Sequence, residues 1–110
     1  MTWNLVVLPL AIQDIRQAAS YYQDVAPAQV PRFLDSIQTT FDGLVDHPYA
    51  ASPHPSGLRR RSVRVFPYSV WADVDEATRT VAIIGVVHHR RDPRIIDERA
   101  QAISVGDQGG

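Results

Sequence analysis

The residues best equipped for chemistry are seven arginines in two short runs: Arg59, Arg60 and Arg61 with Arg64, then Arg90 and Arg91 with Arg94, the second run led by His88 and His89. A guanidinium keeps its proton near neutral pH and presents a planar fork of donors, so such clusters recognise phosphate, carboxylate or an acidic protein surface. Any proton transfer would fall to histidine, which titrates close to neutrality. His88 and His89 are neighbours in an extended run, which sends their side chains to opposite faces and keeps them from sharing one site or one metal. His47 and His54 show no ligand-like spacing and the chain has no cysteine, so thiol catalysis, disulfides, metal and other cofactors are not expected. The competing reading of the arginines is a solvated strand face, or salt bridges to an acidic partner or to Asp92 and Asp97.

Charge placement matters more than the sum. The net charge is −1, which neither recruits nor repels nucleic acid, yet all 11 basic residues are arginine and seven of them sit in those two clusters. With 110 residues, 45% hydrophobic and 21% charged, the sequence reads as one globular domain over residues 1–103 with a flexible tail over 104–110. It has no apolar run long enough for a bilayer, and no secretory signal at Met1-Thr2-Trp3-Asn4, so a cytoplasmic protein with no membrane role is expected.

The elements that must position the arginines follow from periodicity and prolines. Trp3 to Leu8 is a short apolar strand stopped by Pro9. Ile12, Ile15, Ala19, Tyr22 and Val25 recur at helical spacing, with Gln13, Asp14, Arg16, Gln17 and Gln23 between them, up to Ala26-Pro27. A second helix carries Val30, Phe33, Leu34, Ile37, Phe41, Leu44 and Val45 on one face and ends at His47-Pro48, so the two form a hairpin. Pro48 to Gly57, with three prolines and a glycine, reads as a loop. Three strands follow, Leu58 to Phe66, Tyr68 to Asp73 and Thr80 to His88, joined by short turns into an antiparallel meander. In the middle strand Tyr68, Val70, Ala72 and Val74 share the face to be covered by the helices, and Trp71 lies on the other. Exposed there, Trp71 would be an interface anchor unless the C-terminal segment covers it, and the interface reading is preferred. A short helical turn within 95–102 completes a βααβββ order, an α+β fold with a helix hairpin packed on a mainly antiparallel sheet.

That order carries a resemblance. From Leu8 to Pro93 the chain has Ala11 and Asp14-Ile15 opening the first helix, then Tyr21-Tyr22, Phe33, Ile37, Leu44 and His47-Pro48. Leu58-Arg59-Arg60, Phe66-Pro67-Tyr68 and a closing Val86-Val87-His88-His89-Arg90-Arg91-Asp92-Pro93 follow. In order and spacing these resemble the RelE/ParE toxins of bacterial type II toxin–antitoxin systems, and the ending is similar to their H-x-R-R-D-P segment.

The resemblance implies a toxin held by a cognate antitoxin in a hetero-oligomer and, when released, directed at DNA gyrase or at messenger RNA on the ribosome. The RNA-cleaving members draw on lysines, arginines and a C-terminal tyrosine, or on a glutamate and a histidine. This chain has no lysine and no tyrosine after Tyr68. The expectation is therefore a ParE-like gyrase inhibitor without catalysis of its own, with Arg60, Arg61, Arg64, Trp71, His88, Arg90 and Arg91 as target-binding residues. The alternative is a ribosome-dependent mRNA endonuclease using His88 or His89 with Arg60, Arg61 and Arg64.

Overall fold

The computed structural model describes residues 3–109, with side chains as far as Ile103. Strand β1 (Asn4–Val7) leads into helix α1 (Pro9–Val25) and helix α2 (Gln29–Asp46). A single 3-10 turn, Pro48–Ala50, precedes strands β2 (Ser52–Pro53), β3 (Arg59–Ser62), β4 (Tyr68–Asp75) and β5 (Thr80–His88), and helix α3 (Arg94–Gly109) closes the chain. The sheet order is β1-β5-β4-β3-β2, antiparallel throughout except that β1 lies parallel to β5.

The prolines act as the sequence suggests. Pro9 occupies the first turn of α1, where its missing N–H costs no helical bond, and Pro31 lies in the first turn of α2. The main core is the hairpin face against one face of the sheet: Phe33, Ile37, Phe41 and Leu44 meet Val70, Ala72, Val81 and Ile83. Each fully buried large side chain there, such as Phe33 or Leu44, contributes on the order of 1.5–3 kcal/mol. Tyr22 packs on Phe33 and Phe66 with ring centroids 5.3 and 5.5 Å apart, the tilted and edge-on contacts that aromatic quadrupoles favour.

Four expectations need correction. The sheet is covered on both faces, because α3 seats Ile96 on Leu58, Trp71, Ile84 and Val87 in a second apolar cluster; this explains why β5 is apolar at both parities. Trp71 is consequently only 8% exposed and is a core residue under the C-terminal helix, not a free interface anchor. Within the expected loop 48–57, Ser52 and Pro53 pair with Arg60 and Arg59 as a fifth strand at the sheet edge, a place that tolerates a residue with no N–H. Strand β3 stops at Ser62 and does not reach Phe66: Val65 adopts φ +76°, a left-handed conformation unfavourable for a β-branched residue, and Phe66 turns inward. The expected boundary at 103/104 falls where side chains lie outside the described residues.

One irregularity organises the rest. Opposite β4, Trp71 pairs with Gly85 and Ala72 with Ile83, so Ile84 is an extra residue, a β-bulge in the middle of the sheet. A bulge leaves main-chain groups without ladder partners. Here the carboxylate of Asp14 on α1 accepts the Val86 N–H at 3.0 Å, and the guanidinium of Arg99 on α3 donates to the Ile84 carbonyl at 3.1 Å.

Candidate functional site

Period-2 geometry divides the first arginine run. On β3, Arg60 pairs with Trp71 and shares its face, the side of α3, while Arg59 and Arg61 pair with Ala72 and Val70 on the side of the helix hairpin. Arg59 is committed to structure: it donates to the carbonyls of Tyr49 (3.1 Å) and Ala51 (3.0 Å) and lies over the Tyr49 ring, tying down the 3-10 turn. Arg61 lays its guanidinium against Gly43 of α2, where no side chain intervenes. Arg64 lies in the bend after β3 and is exposed.

The second run begins with a tight turn. The Arg91 N–H donates to the His88 carbonyl at 3.0 Å and the Arg90 N–H to His88 Nδ1 at 3.0 Å, which carries Arg91 back over the end of β5. The two histidines do point apart. His88 packs edge-on against Tyr68, its cross-strand partner, at 5.1 Å between ring centroids. His89 shares a 3.0 Å hydrogen bond between Nε2 and the Ser69 hydroxyl; Ser69 is 2% exposed. Asp92 is spent on Arg94, accepting from Nε at 2.9 Å and Nη2 at 2.6 Å, and these hydrogen bonds hold its carboxyl below the ordinary carboxylate range.

On the α3 side these elements converge on a pocket of about 150 Å³ lined by Arg60, Ser69, Trp71, His88, His89, Arg91 and the start of α3. Of the seven expected binding residues it gathers Arg60, Trp71, His88 and Arg91. Arg61, Arg64 and Arg90 do not line it, the first because strand alternation turns it to the opposite face. Cationic guanidiniums beside histidine make the pocket suited to an anionic group. Sequence reasoning missed two charged residues that hold this end of the sheet. Asp14 reads as part of a polar helix face but is buried, and Arg99 lies in a segment expected to be only a short helical turn. Their side chains are 5% and 10% exposed and form a bidentate pair, Nη1 to Oδ2 at 2.7 Å and Nη2 to Oδ1 at 3.1 Å. The available signal was the stripe Ala11, Asp14 and Ala18, which places the acid on a buried helix face.

The helix hairpin, the five-stranded sheet closed by a parallel first strand, and the basic end of β5 define the fold class of the small RelE/ParE-type toxins. Similar structures include the chromosomal ParDE toxin–antitoxin system of P. aeruginosa (TM-score 0.68, 16% identity, 79% of this chain and 96% of that one). The toxin–antitoxin complex RelBE2 of Mycobacterium tuberculosis is similar at TM-score 0.59 and 20% identity, over 80% and 99% of the two chains. A free double-arginine mutant of the E. coli toxin RelE matches at TM-score 0.61 and 14% identity, over 94% and 99%. No curated protein matches the sequence. The family model described as the ParE toxin of the type II toxin–antitoxin system parDE matches residues 5–93, and the chain belongs to that family.

Proposed function

We propose that this toxin acts on DNA gyrase in the cytoplasm through a protein–protein contact and is neutralised by a cognate antitoxin in a hetero-oligomer. The observation that carries the reading is the state of the polar groups at the end of the sheet. His89 is engaged by buried Ser69 and His88 Nδ1 by a main-chain N–H. Among the described residues, Arg64, Arg90 and Arg91 have no ion-pair or hydrogen-bond partner for their side chains. Unpaired arginines in the bends that follow β3 and β5 suit anchoring to an acidic protein surface, where each can contribute strongly once desolvated. Purified toxin is expected to inhibit gyrase supercoiling, with relief on adding the antitoxin. Gyrase untouched by excess toxin would overturn the reading.

One arrangement favours a second reading, a ribosome-dependent endoribonuclease: exposed His89 lines the same pocket as Arg60 and Arg91, which places a proton carrier beside two phosphate-binding groups. Transcript cleavage on induction, with no DNA damage response, would establish it in place of the first.

A further inference from the structure

The opposite face of the same strand end holds a second site. We propose that the cleft between α1 and the ends of β4 and β5 binds a small planar aromatic anion, a ring carrying a phosphate or a carboxylate. The proposal is independent of which macromolecule the toxin attacks.

Two adjoining cavities of about 240 and 380 Å³ share Tyr21, Tyr68 and His88 in their walls. The first is completed by Gln17 and Arg91, the second by Tyr22 and Pro67. Together they reach the size of ordinary small-molecule pockets, about 300–1,000 Å³. The second cavity is aromatic: Tyr21 and Tyr22 meet edge-on at 5.5 Å, Tyr22 and Tyr68 at 6.5 Å, and Tyr21 remains 58% exposed, a free face for a planar ring.

The first cavity is a set of donors. Among the described residues, the hydroxyls of Tyr21 and Tyr68, the Gln17 amide and the Arg91 guanidinium have no protein partner. Because His88 Nδ1 accepts the Arg90 N–H, a neutral His88 carries its proton on Nε2 and is a donor as well. Burial raises the Tyr68 pKa, with Tyr22 and Tyr21 adding to it, which keeps this hydroxyl protonated. The one carboxylate in the wall, Asp14, is neutralised by Arg99 and occupied by the Val86 N–H, so it offers an incoming anion little repulsion. An aromatic wall adjoining a group of unpaired donors and a guanidinium suits a ring at one end and an anion at the other.

The test is calorimetric titration of the purified full chain with adenosine monophosphate and with 4-hydroxybenzoate, against adenosine and inorganic phosphate as half-ligands. Saturable binding of either anion, at least about tenfold tighter than both half-ligands, is expected, and which one binds tells phosphate from carboxylate. Arg91→Ala, or Gln17→Glu, which places a negative charge in the exposed wall without truncating anything, should weaken it about tenfold or more, while Arg16→Ala should leave it unchanged. The proposal is overturned if neither anion binds at about 10 mM, if a half-ligand binds as well as the whole, or if Gln17→Glu has no effect.

Discussion

Arg99 and Asp14 clasp each other beside the bulge in β5, the guanidinium from α3 and the carboxylate from α1, and between them they satisfy the Ile84 carbonyl at the bulge and the Val86 amide beyond the end of the β1 pairing. The pair therefore fastens a helix on each face of the sheet to the same point of β5. Its energetic meaning is asymmetric: the intact pair need not add much, but losing one partner strands a buried charge.

Asp14→Ala and Arg99→Met should accordingly each destabilise the fold by about 3–5 kcal/mol, since each leaves the other member of the pair as a buried, uncompensated charge. Chemical denaturation of both single variants and the double variant checks this; additive costs would mean that the two residues do not act as a unit.

Two glycines should respond oppositely to alanine. At Gly85 a Cβ would lie 2.5 Å from Arg99 Nη1 and 3.3 Å from Asp14 Oδ2, and that guanidinium is held by three hydrogen bonds, so Gly85→Ala should cost about 2–4 kcal/mol. At Gly43 the obstacle is the Arg61 guanidinium at 2.7 Å, the end of a flexible side chain that can swing toward solvent. There the gain in helix propensity, about 0.5–1 kcal/mol, should make Gly43→Ala neutral to stabilising. Thermal melts of the two variants separate the cases.

Stability should decline in alkali. Burial lifts the Tyr68 phenol, and to a similar effect Tyr22, above the ordinary 10.0. The unfolded chain then gives up these protons first, so below pH about 10 nothing changes, and above it unfolding gains until the folded pKa is passed. Melting temperature should fall from pH about 10 upward, and Tyr68→Phe should make that fall shallower. An unchanged slope in the variant would show that Tyr68 does not carry it.

Toxicity should separate from folding among the residues that line the pocket on the α3 side. If gyrase is the target, as proposed, Arg60→Ala and Arg91→Ala should each weaken its inhibition by about tenfold or more with little loss of stability, as expected for exposed anchors. Trp71→Ala should instead cost about 3–5 kcal/mol of folding free energy, because it empties the cluster beneath α3. Inhibition assays run alongside melts make the comparison; Arg60→Ala with full inhibitory power would remove that residue from the target surface.

Much of the fold was legible because it rests on local rules. Prolines 9, 27 and 48 bracket the two long helices, and their apolar spacing names most of the main core, Phe33 to Leu44. The bracket Thr80–His88 coincides with β5. What was not legible depends on partners distant in sequence. A two-residue strand such as Ser52–Pro53 has no period to detect, and it exists only because β3 offers an edge. The Asp14–Arg99 pair joins residues at opposite ends of the chain, so neither announces the other. Trp71 was placed on the correct face, but its cover is Ile96, part of a helix whose polar residues Asp97 and Glu98 mask its apolar side. At the site, alternation along β3 already implies that Arg60 and Arg61 cannot act together.

The parallel pairing of β1 with β5 has a consequence for how the protein is made. The Asn4 N–H donates to the Arg79 carbonyl at 2.9 Å, and Asn4 stands in register with Thr80, far along the sequence. At a synthesis rate of about 5–20 residues per second, the first strand waits on the order of 4–15 s for the one that completes it. Arg99 emerges later still, so Asp14 stays without its counter-ion until the last helix arrives. The sheet therefore closes only once β5 has been made, and until then the apolar faces of α1 and α2 lack the surface they pack against.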